Sequence, residues 1–324
     1  MMTASLRVSE TAQEAAQTAD AARRAETIQT ADAALRAETI QTADALDPAN
    51  TFEAESAYEF IADCPANIHR IPAFQDNYLW MIASPEGAEC WVVDPGDALA
   101  LIEASVALRL RIRGVLLTHH HSDHQGGVED LMDHAFQAGT KLEVVGPVDE
   151  RIHACAVRVG EGNWVDLGFA ACQVLAVPGH TRSHLAYYFP NWAVLFCGDT
   201  LFAAGCGRLF EGTPEQMLDS LARLAGLPPH TRIFCAHEYT LSNLRFAAAT
   251  YPQHAAVARR LAEAERARSA SVATVPSTME AELRTNPFLL GLVPQSRGVP
   301  FIKDHGVRVA RFADLRARKN SFRG

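Results

Sequence analysis

Four apolar runs in this chain end alike, and that shared ending limits what it can fold into more than any other feature. Val115-Leu116-Leu117 runs into Thr118-His119-His120-His121-Ser122-Asp123-His124, and Cys172 to Val177 runs into Pro178-Gly179-His180. Ala193 to Cys197 runs into Gly198-Asp199, and Arg232 to Ala236 runs into His237. Each run is short, apolar and bounded by turn residues, the pattern of a buried strand. Loops at strand ends are where a sheet scaffold presents its chemistry, and Gly or Ala beside the polar residue lets backbone approach closely. Four strand ends therefore offer His119, His121, Asp123, His124, His180, Asp199 and His237.

Taken singly, these residues are unremarkable. A lone histidine after a strand is ordinarily a structural hydrogen-bonding group, and an aspartate after glycine is ordinarily a helix cap. Jointly they imply metal, because imidazoles beside carboxylates form a transition-metal donor set. Seven such residues exceed the three protein ligands of a catalytic zinc ion. With one carboxylate shared, they divide into a two-metal site, in which the ions lie ~3.5–4 Å apart. Mixed His/Asp sites accept Zn, Fe or Mn, and Zn2+ is the expected occupant.

The remaining chain supplies the scaffold. Ile68 to Pro72, Tyr78 to Ile82 and Cys90 to Asp94 are rich in β-branched and aromatic residues, separated by Asp76-Asn77 and Pro85-Glu86-Gly87. They read as hairpin strands with turns between them. Ala98 to Leu108 and Val128 to Phe136 read as helices on either side of the strand that ends in the histidine cluster. Beyond it, Leu241 to Ala249, Ala255 to Ala267 and Met279 to Arg284 read as helices, broken at Pro252 and Pro276.

Charge and cysteine usage exclude several classes. Residues 1–66 hold twelve acidic and four basic residues, so the net charge of −9 belongs mostly to that segment. Residues 67–324 are close to neutral and carry no nucleic-acid footprint. Within residues 1–66, Arg24 to Ala33 recurs identically as Arg36 to Ala45. Its sparse apolar positions make a helix there marginal alone, so the segment reads as a mobile or loosely helical extension without assigned function. No run of about eighteen apolar residues is present, so no membrane span is expected. Seven cysteines without a CxxC pair fit core positions in a reducing cytoplasm.

His119-His120-His121-Ser122-Asp123-His124 resembles the HxHxDH signature of the metallo-β-lactamase superfamily. Cys197 to Phe202, Gly205 to Gly212, Cys235 to Thr240, Thr274 to Thr278, Asn286-Pro287-Phe288 and Leu315 to Phe322 resemble the hydroxyacylglutathione hydrolase (glyoxalase II) family within it. The resemblance covers about residues 67–324. It implies an α/β fold, an αβ/βα sandwich over 67–237, followed by a small α-helical glutathione-binding domain over 238–324. It also implies that His119, His121, His180 and Asp199 hold a first ion, and Asp123, His124, Asp199 and His237 a second. Arg208, Tyr239, Arg316 and Lys319 would contact the carboxylates and backbone of glutathione. Arg208 stands where the family often has Lys, and Phe210 where it often has Tyr, which removes one hydroxyl.

The implied activity is hydrolysis of S-2-hydroxyacylglutathione, with S-D-lactoylglutathione as the expected substrate, by a monomer. Asp123 would orient the attacking hydroxide, and no protein nucleophile is required. One rival is a persulfide dioxygenase of the same superfamily, which uses a single iron; the complete second ligand set and the Arg316 to Phe322 stretch argue against it. The other is a non-catalytic metal-binding module, which would close its coordination against water and substrate.

Overall fold

A computed structural model describes residues 58–61, 64 and 66–323. Among them, the first sheet has the order β1-β2-β3-β4-β5-β6-β7. Its strands are Glu59–Phe60, Asn67–Ala73, Asn77–Ala83, Glu89–Val93, Arg111–Leu116, Glu143–Pro147 and Val157–Val159. The expected hairpin meander is there: β2, β3 and β4 pair antiparallel, with Arg70 opposite Trp80 and Trp80 opposite Val93. From β4 onward the pairing is parallel, because helix α1 (Ala98–Leu108) and helix α3 (Val128–Gln137) carry the chain back between strands. Asp97 starts α1 by accepting the Ala100 N–H at 3.1 Å. A short helical turn, α2 (Ser122–Gln125), lies between β5 and α3.

The second sheet has the order β15-β14-β11-β10-β9-β8. Its strands are Ser277–Thr278, Arg232–Cys235, Val194–Gly198, Leu185–Phe189, Ala171–Ala176 and Trp164–Asp166. A small hairpin, β12 (Leu201–Phe202) with β13 (Gly205–Cys206), follows β11. Helix α4 (Pro214–Ala225) carries the chain from there towards β14 and closes its N-terminus with a capping box between Thr213 and Gln216. That signature stands in the sequence, although no expected helix covers this stretch.

Strand β3 explains why the sheets stack. All seven of its residues are buried, and their sides alternate. Tyr78, Trp80 and Ile82 join the core shared with the second sheet, while Leu79, Met81 and Ala83 join the core under α1 and α3. Trp80 crosses the interface edge-on to Phe234, centroids 5.0 Å apart, and donates its indole N–H to Cys235 O at 3.1 Å. Helix α4 contributes Met217, Leu218, Leu221 and Leu224 to the same core as the second sheet. The layering is the expected αβ/βα sandwich.

Two boundaries run differently from the sequence reading. Residues 1–57 of the expected extension lie outside the described residues. Glu59–Phe60, within the stretch assigned to that extension, already pairs with His69 and Arg70, so the sheet begins ahead of Asn67. Helices α5 (Thr240–Thr250), α6 (Ala255–Ser269), α7 (Met279–Thr285) and α8 (His305–Ser321) form the expected helical region. It also supplies β15, which pairs antiparallel with β14. Phe246, Val275, Met279, Leu283, Phe288 and Leu315 belong to the core of the second sheet, so this region is packed onto the sandwich as one body with it.

Candidate metal centre

The four strand ends converge on one edge of the sandwich. The two sheets are stitched there by Leu185 N donating to Thr118 O at 2.9 Å, Tyr187 Oη to Leu117 O at 2.7 Å and Tyr78 N to Ala236 O at 2.7 Å. After β4 the chain turns sharply at Asp94, whose φ of 52° is left-handed, and its carboxylate comes under the histidine loop. Asp94 accepts the Thr118 backbone N–H and hydroxyl, each at 2.7 Å, and the His124 Nδ1–H at 2.9 Å. Gly96 then passes the loop so closely that a Cβ would sit 1.9 Å from Asp123 O. His121 leads into α2, whose single turn presents Asp123 and His124 in succession.

The outward nitrogen of nearly every imidazole is accounted for, which fixes what the inward one presents. With Thr118 Oγ1 donating to Asp94, the same oxygen accepts from His119 Nδ1 at 3.0 Å. His180 Nδ1 donates to Arg208 O at 2.9 Å, and His237 Nδ1 to Asp76 Oδ1 at 2.8 Å. These partners take up Nδ1 of each ring and leave Nε2 pointing inward. His119 Nε2 and His180 Nε2 each lie 3.0 Å from His121 Nδ1. Asp199 faces two ways: Oδ2 is 3.4 Å from His180 Nε2, while Oδ1 is 3.4 Å from both His124 Nε2 and His237 Nε2. Asp123 Oδ2 lies 3.4 Å from His124 Nε2 and 3.5 Å from His237 Nε2. Three overlapping groups result, His119/His121/His180, His119/His124/Asp199 and Asp123/His124/His237, with ligand atoms within 4.8 Å of one another in each.

The electrostatics ask for a cation. Burial would raise the Asp199 and Asp123 carboxyls, but His237 and His124 beside them outweigh it and hold both well below the usual range. Burial would likewise lower His124 and His237. The carboxylates around His124, and Tyr239 with Asp199 and Asp123 around His237, override it and raise both well above an ordinary histidine. Protons on imidazoles thus supply the positive charge these carboxylates need. On the other side, burial holds His119 well below the usual value, lowers His180 and pushes His121 down to about 4. These three are neutral ligand-type imidazoles whose lone pairs converge. His124 Nε2 and Asp199 Oδ1 are buried with no hydrogen-bond partner. Such orphaned atoms aimed into a donor set suit divalent cations.

The expected glutathione contacts have these surroundings. Tyr239 stacks on His237, centroids 4.7 Å apart and planes 6° apart. Burial, and after it the charge of Arg316, pushes the Arg208 guanidinium down. Arg316 is itself buried: Nη1 donates to Cys206 O at 2.7 Å, Nε to Asn320 Oδ1 at 2.9 Å, and the guanidinium lies over the Phe288 ring. Lys319 Nζ donates to Ser242 Oγ at 2.9 Å. Phe210 stands exposed and edge-on to His121 and His180. His120 does not join the cluster; its ring lies between Asp149 and Glu211.

Sequence reasoning missed the supporting residues. Asp94 follows a strand just as Asp199 does, so its signal was legible. Asp76 and Asn77 were read only as turn residues, yet Asp76 holds His237 and Asn77 Nδ2 donates to Asp123 Oδ2 at 3.0 Å. His184 accepts the Asp199 N–H on Nε2 at 3.2 Å, and nothing in the spacing marked it.

Known proteins resemble the chain in both regions. A family model described as hydroxyacylglutathione hydrolase C-terminus matches residues 238–322, and one for the metallo-beta-lactamase superfamily matches residues 76–143 and 161–237. A hydroxyacylglutathione hydrolase of Ectopseudomonas mendocina (strain ymp) is 51% identical over 225 residues, 68% of this chain and 85% of the relative. One of Pseudomonas putida (strain W619) is 48% identical over 262 residues, 79% of this chain and 99% of the relative. Among solved structures, BLEG-1 B3 metallo-beta-lactamase has a TM-score of 0.52 at 23% identity, covering 68% of this chain and 99% of its own. ETHE1 from Myxococcus xanthus has a TM-score of 0.52 at 23% identity, covering 78% and 93%. At that identity the two structures speak for the fold alone.

Proposed function

The chain belongs to the hydroxyacylglutathione hydrolase family of the metallo-β-lactamase superfamily, and from that premise we infer how its residues divide the work of thioester hydrolysis. It is a thioester hydrolase that acts on hydroxyacylglutathione with divalent metal ions; S-D-lactoylglutathione is the substrate we propose. His119, His121 and His180 would hold one ion and Asp123, His124 and His237 the other, with Asp199 available to both. The observation that carries this division is the two-faced carboxylate of Asp199, with His180 on one oxygen and His124 and His237 on the other. Zn2+ suits the donor set, and Fe or Mn would also be accepted.

When bound, the ions acidify water, from a pKa of 15.7 to about 7, and polarise the thioester carbonyl. The chain's own residues do the rest. Asp123, its Oδ2 held by Asn77, orients the attacking water towards the carbonyl carbon. Asp94, Asp76 and the Arg208 carbonyl hold the imidazoles in the tautomers that present lone pairs inward. Arg208, Tyr239, Arg316 and Lys319 bind the glutathione arm, Arg316 being held by the Cys206 carbonyl. Cleavage of the C–S bond expels glutathione thiolate, a good leaving group because a thiol pKa is only about 8.5. One chain carries all these groups, which supports a monomer as the working unit. Seven unpaired cysteines support a cytoplasmic setting, and no described helix is long and apolar enough to cross a membrane. The experiment is direct: purified, metal-loaded protein should release free thiol from S-D-lactoylglutathione in proportion to its content of two ions. Consumption of oxygen with glutathione persulfide instead would replace this reading.

A further inference from the structure

One ionic cluster beside the metal centre has no part in the chemistry above. It begins at His120, the histidine of that loop that belongs to none of the three candidate ligand groups. His120 Nδ1 lies 3.7 Å from Asp149 Oδ2 and its Nε2 3.6 Å from Glu211 Oε1. Arg151 joins the same two carboxylates. Its Nε and Nη2 donate to Asp149 at 2.8 and 2.7 Å, and its Nη1 donates to Glu211. Ser183 Oγ donates to Asp149 at 2.5 Å and the Arg182 N–H to Glu211 at 2.9 Å. Gln125 Nε2 donates to both the His120 and Arg151 carbonyls. Four loops meet here: the histidine loop, the turn after β6, the loop from His180 to His184, and the loop of residues 207–212.

The last of these bears on the metal centre at the backbone level. Phe210 N and Glu211 N both donate to His180 O, at 3.2 and 3.3 Å, and Gly212 N donates to Gly179 O at 3.1 Å. In return the Arg208 carbonyl of that loop accepts the His180 Nδ1–H. The loop therefore fixes His180 in both position and tautomer, while Glu211 is the handle by which Arg151 holds the loop. Without the guanidinium, Asp149 and Glu211 would be like charges facing one imidazole, with the Asp149 side chain only 4% exposed. A buried charge that loses its partner is costly, and repulsion would push the 207–212 loop outward.

We propose that Arg151 and Glu211 are positioning residues that clamp the 207–212 loop onto the histidine loop, setting His180 against His119 and His121 and presenting Arg208 to the glutathione arm. This rests on the reading that those three histidines hold one ion. The ion bound by Asp123, His124 and His237 has its own supports, Asp76, Asn77 and Asp94, none of which touches the clamp.

The test is a Zn2+ titration in competition with a chromophoric chelator, on wild type, Arg151→Met, Arg151→Lys and Glu211→Gln, together with KM and kcat on S-D-lactoylglutathione. The expected result is that Arg151→Met weakens one of the two zinc equivalents by about 10–100-fold, as loss of an outer partner of a metal ligand typically does. The other equivalent should be unchanged, and KM should rise. Arg151→Lys should recover part of the loss, since it keeps the charge but lacks the planar fork that grips Asp149 with two donors. Glu211→Gln, which keeps the side chain's shape, should shift in the same direction by less. A role in general stability alone would weaken both equivalents together or neither, and either outcome overturns the clamp while leaving the two-ion reading intact. A wild type holding fewer than two equivalents, or releasing no thiol, overturns that reading and the clamp with it.

Discussion

His184 lies nearly flat against His119, with ring centroids 4.5 Å and planes 21° apart, and its Nε2 accepts the backbone N–H of Asp199. One fully enclosed imidazole thus touches a residue from each side of the centre. Its Nδ1 donates to Leu185 O at 3.0 Å, and burial keeps it neutral, which leaves Nε2 free to accept. Gly198 makes room for it: a Cβ there would lie 2.9 Å from the His184 ring and 2.4 Å from Thr118 Oγ1, at a φ of +46°. His184→Ala is therefore expected to weaken metal binding by about 10–100-fold without altering any proposed ligand, read by chelator competition. Unchanged affinity for both ions would remove His184 from the support of Asp199 and His119.

Asp199→Ala removes a carboxylate that faces both groups of imidazoles. Metal content and thioesterase activity are expected to fall together, measured by elemental analysis and thiol release on one sample. Retention of two ions would sink the bridging assignment.

Asp94→Asn tests tautomer control. The carboxylate accepts from Thr118 twice and from His124 once, whereas an amide offers fewer acceptor sites and adds donors. Weaker metal binding is expected, together with lower stability of the metal-free protein, since a buried donor loses its partner at about 1–3 kcal/mol. A denaturation midpoint and metal affinity both equal to wild type would contradict this role.

Lys319→Ala and Arg316→Ala separate binding from framework. Lys319 bonds a serine at the base of α5 and is expected chiefly to raise KM when removed. Arg316 is enclosed and bonded to the Cys206 carbonyl, so its removal should raise KM and also lower stability by about 1–3 kcal/mol. An unchanged KM in both variants would detach them from glutathione.

Glu211 gives a pH dependence whose sign is fixed. The Arg151 guanidinium holds its carboxyl down to about 2, from an ordinary 4.5. A depressed folded pKa stabilises the protein above the unfolded value and loses that contribution as pH falls towards the folded one. Unfolding free energy is therefore expected to drop between about pH 4.5 and 2, and less steeply in Glu211→Gln. Parallel curves for the two proteins would show that the pair contributes nothing.

Much of the sandwich was legible because its signals are local. Ala98 to Leu108 and Met279 to Arg284 read as helices and are helices, and the hairpin strands and four chemistry-bearing strand ends fall where their apolar runs place them. Helix α4 was overlooked although its capping box stands in the sequence, and β15 is too short to announce itself. A two-residue strand has no periodicity; only its partner β14 makes it one.

The sequence by itself determined the donor types, their delivery at strand ends and, through resemblance, the chemistry. These depend on residue identity and on backbone patterns a few residues long. Tertiary structure alone decided which nitrogen each histidine turns inward, because that follows from the acceptor behind the ring. Those acceptors, Asp76 for His237, Asp94 for His124 and the Arg208 carbonyl for His180, come from distant segments brought together by the packing of two sheets. It also decided that Arg316 is buried against the Cys206 carbonyl and that His120 faces Asp149 and Glu211. Hydrogen bonds and charge pairs between remote segments leave no period in the chain.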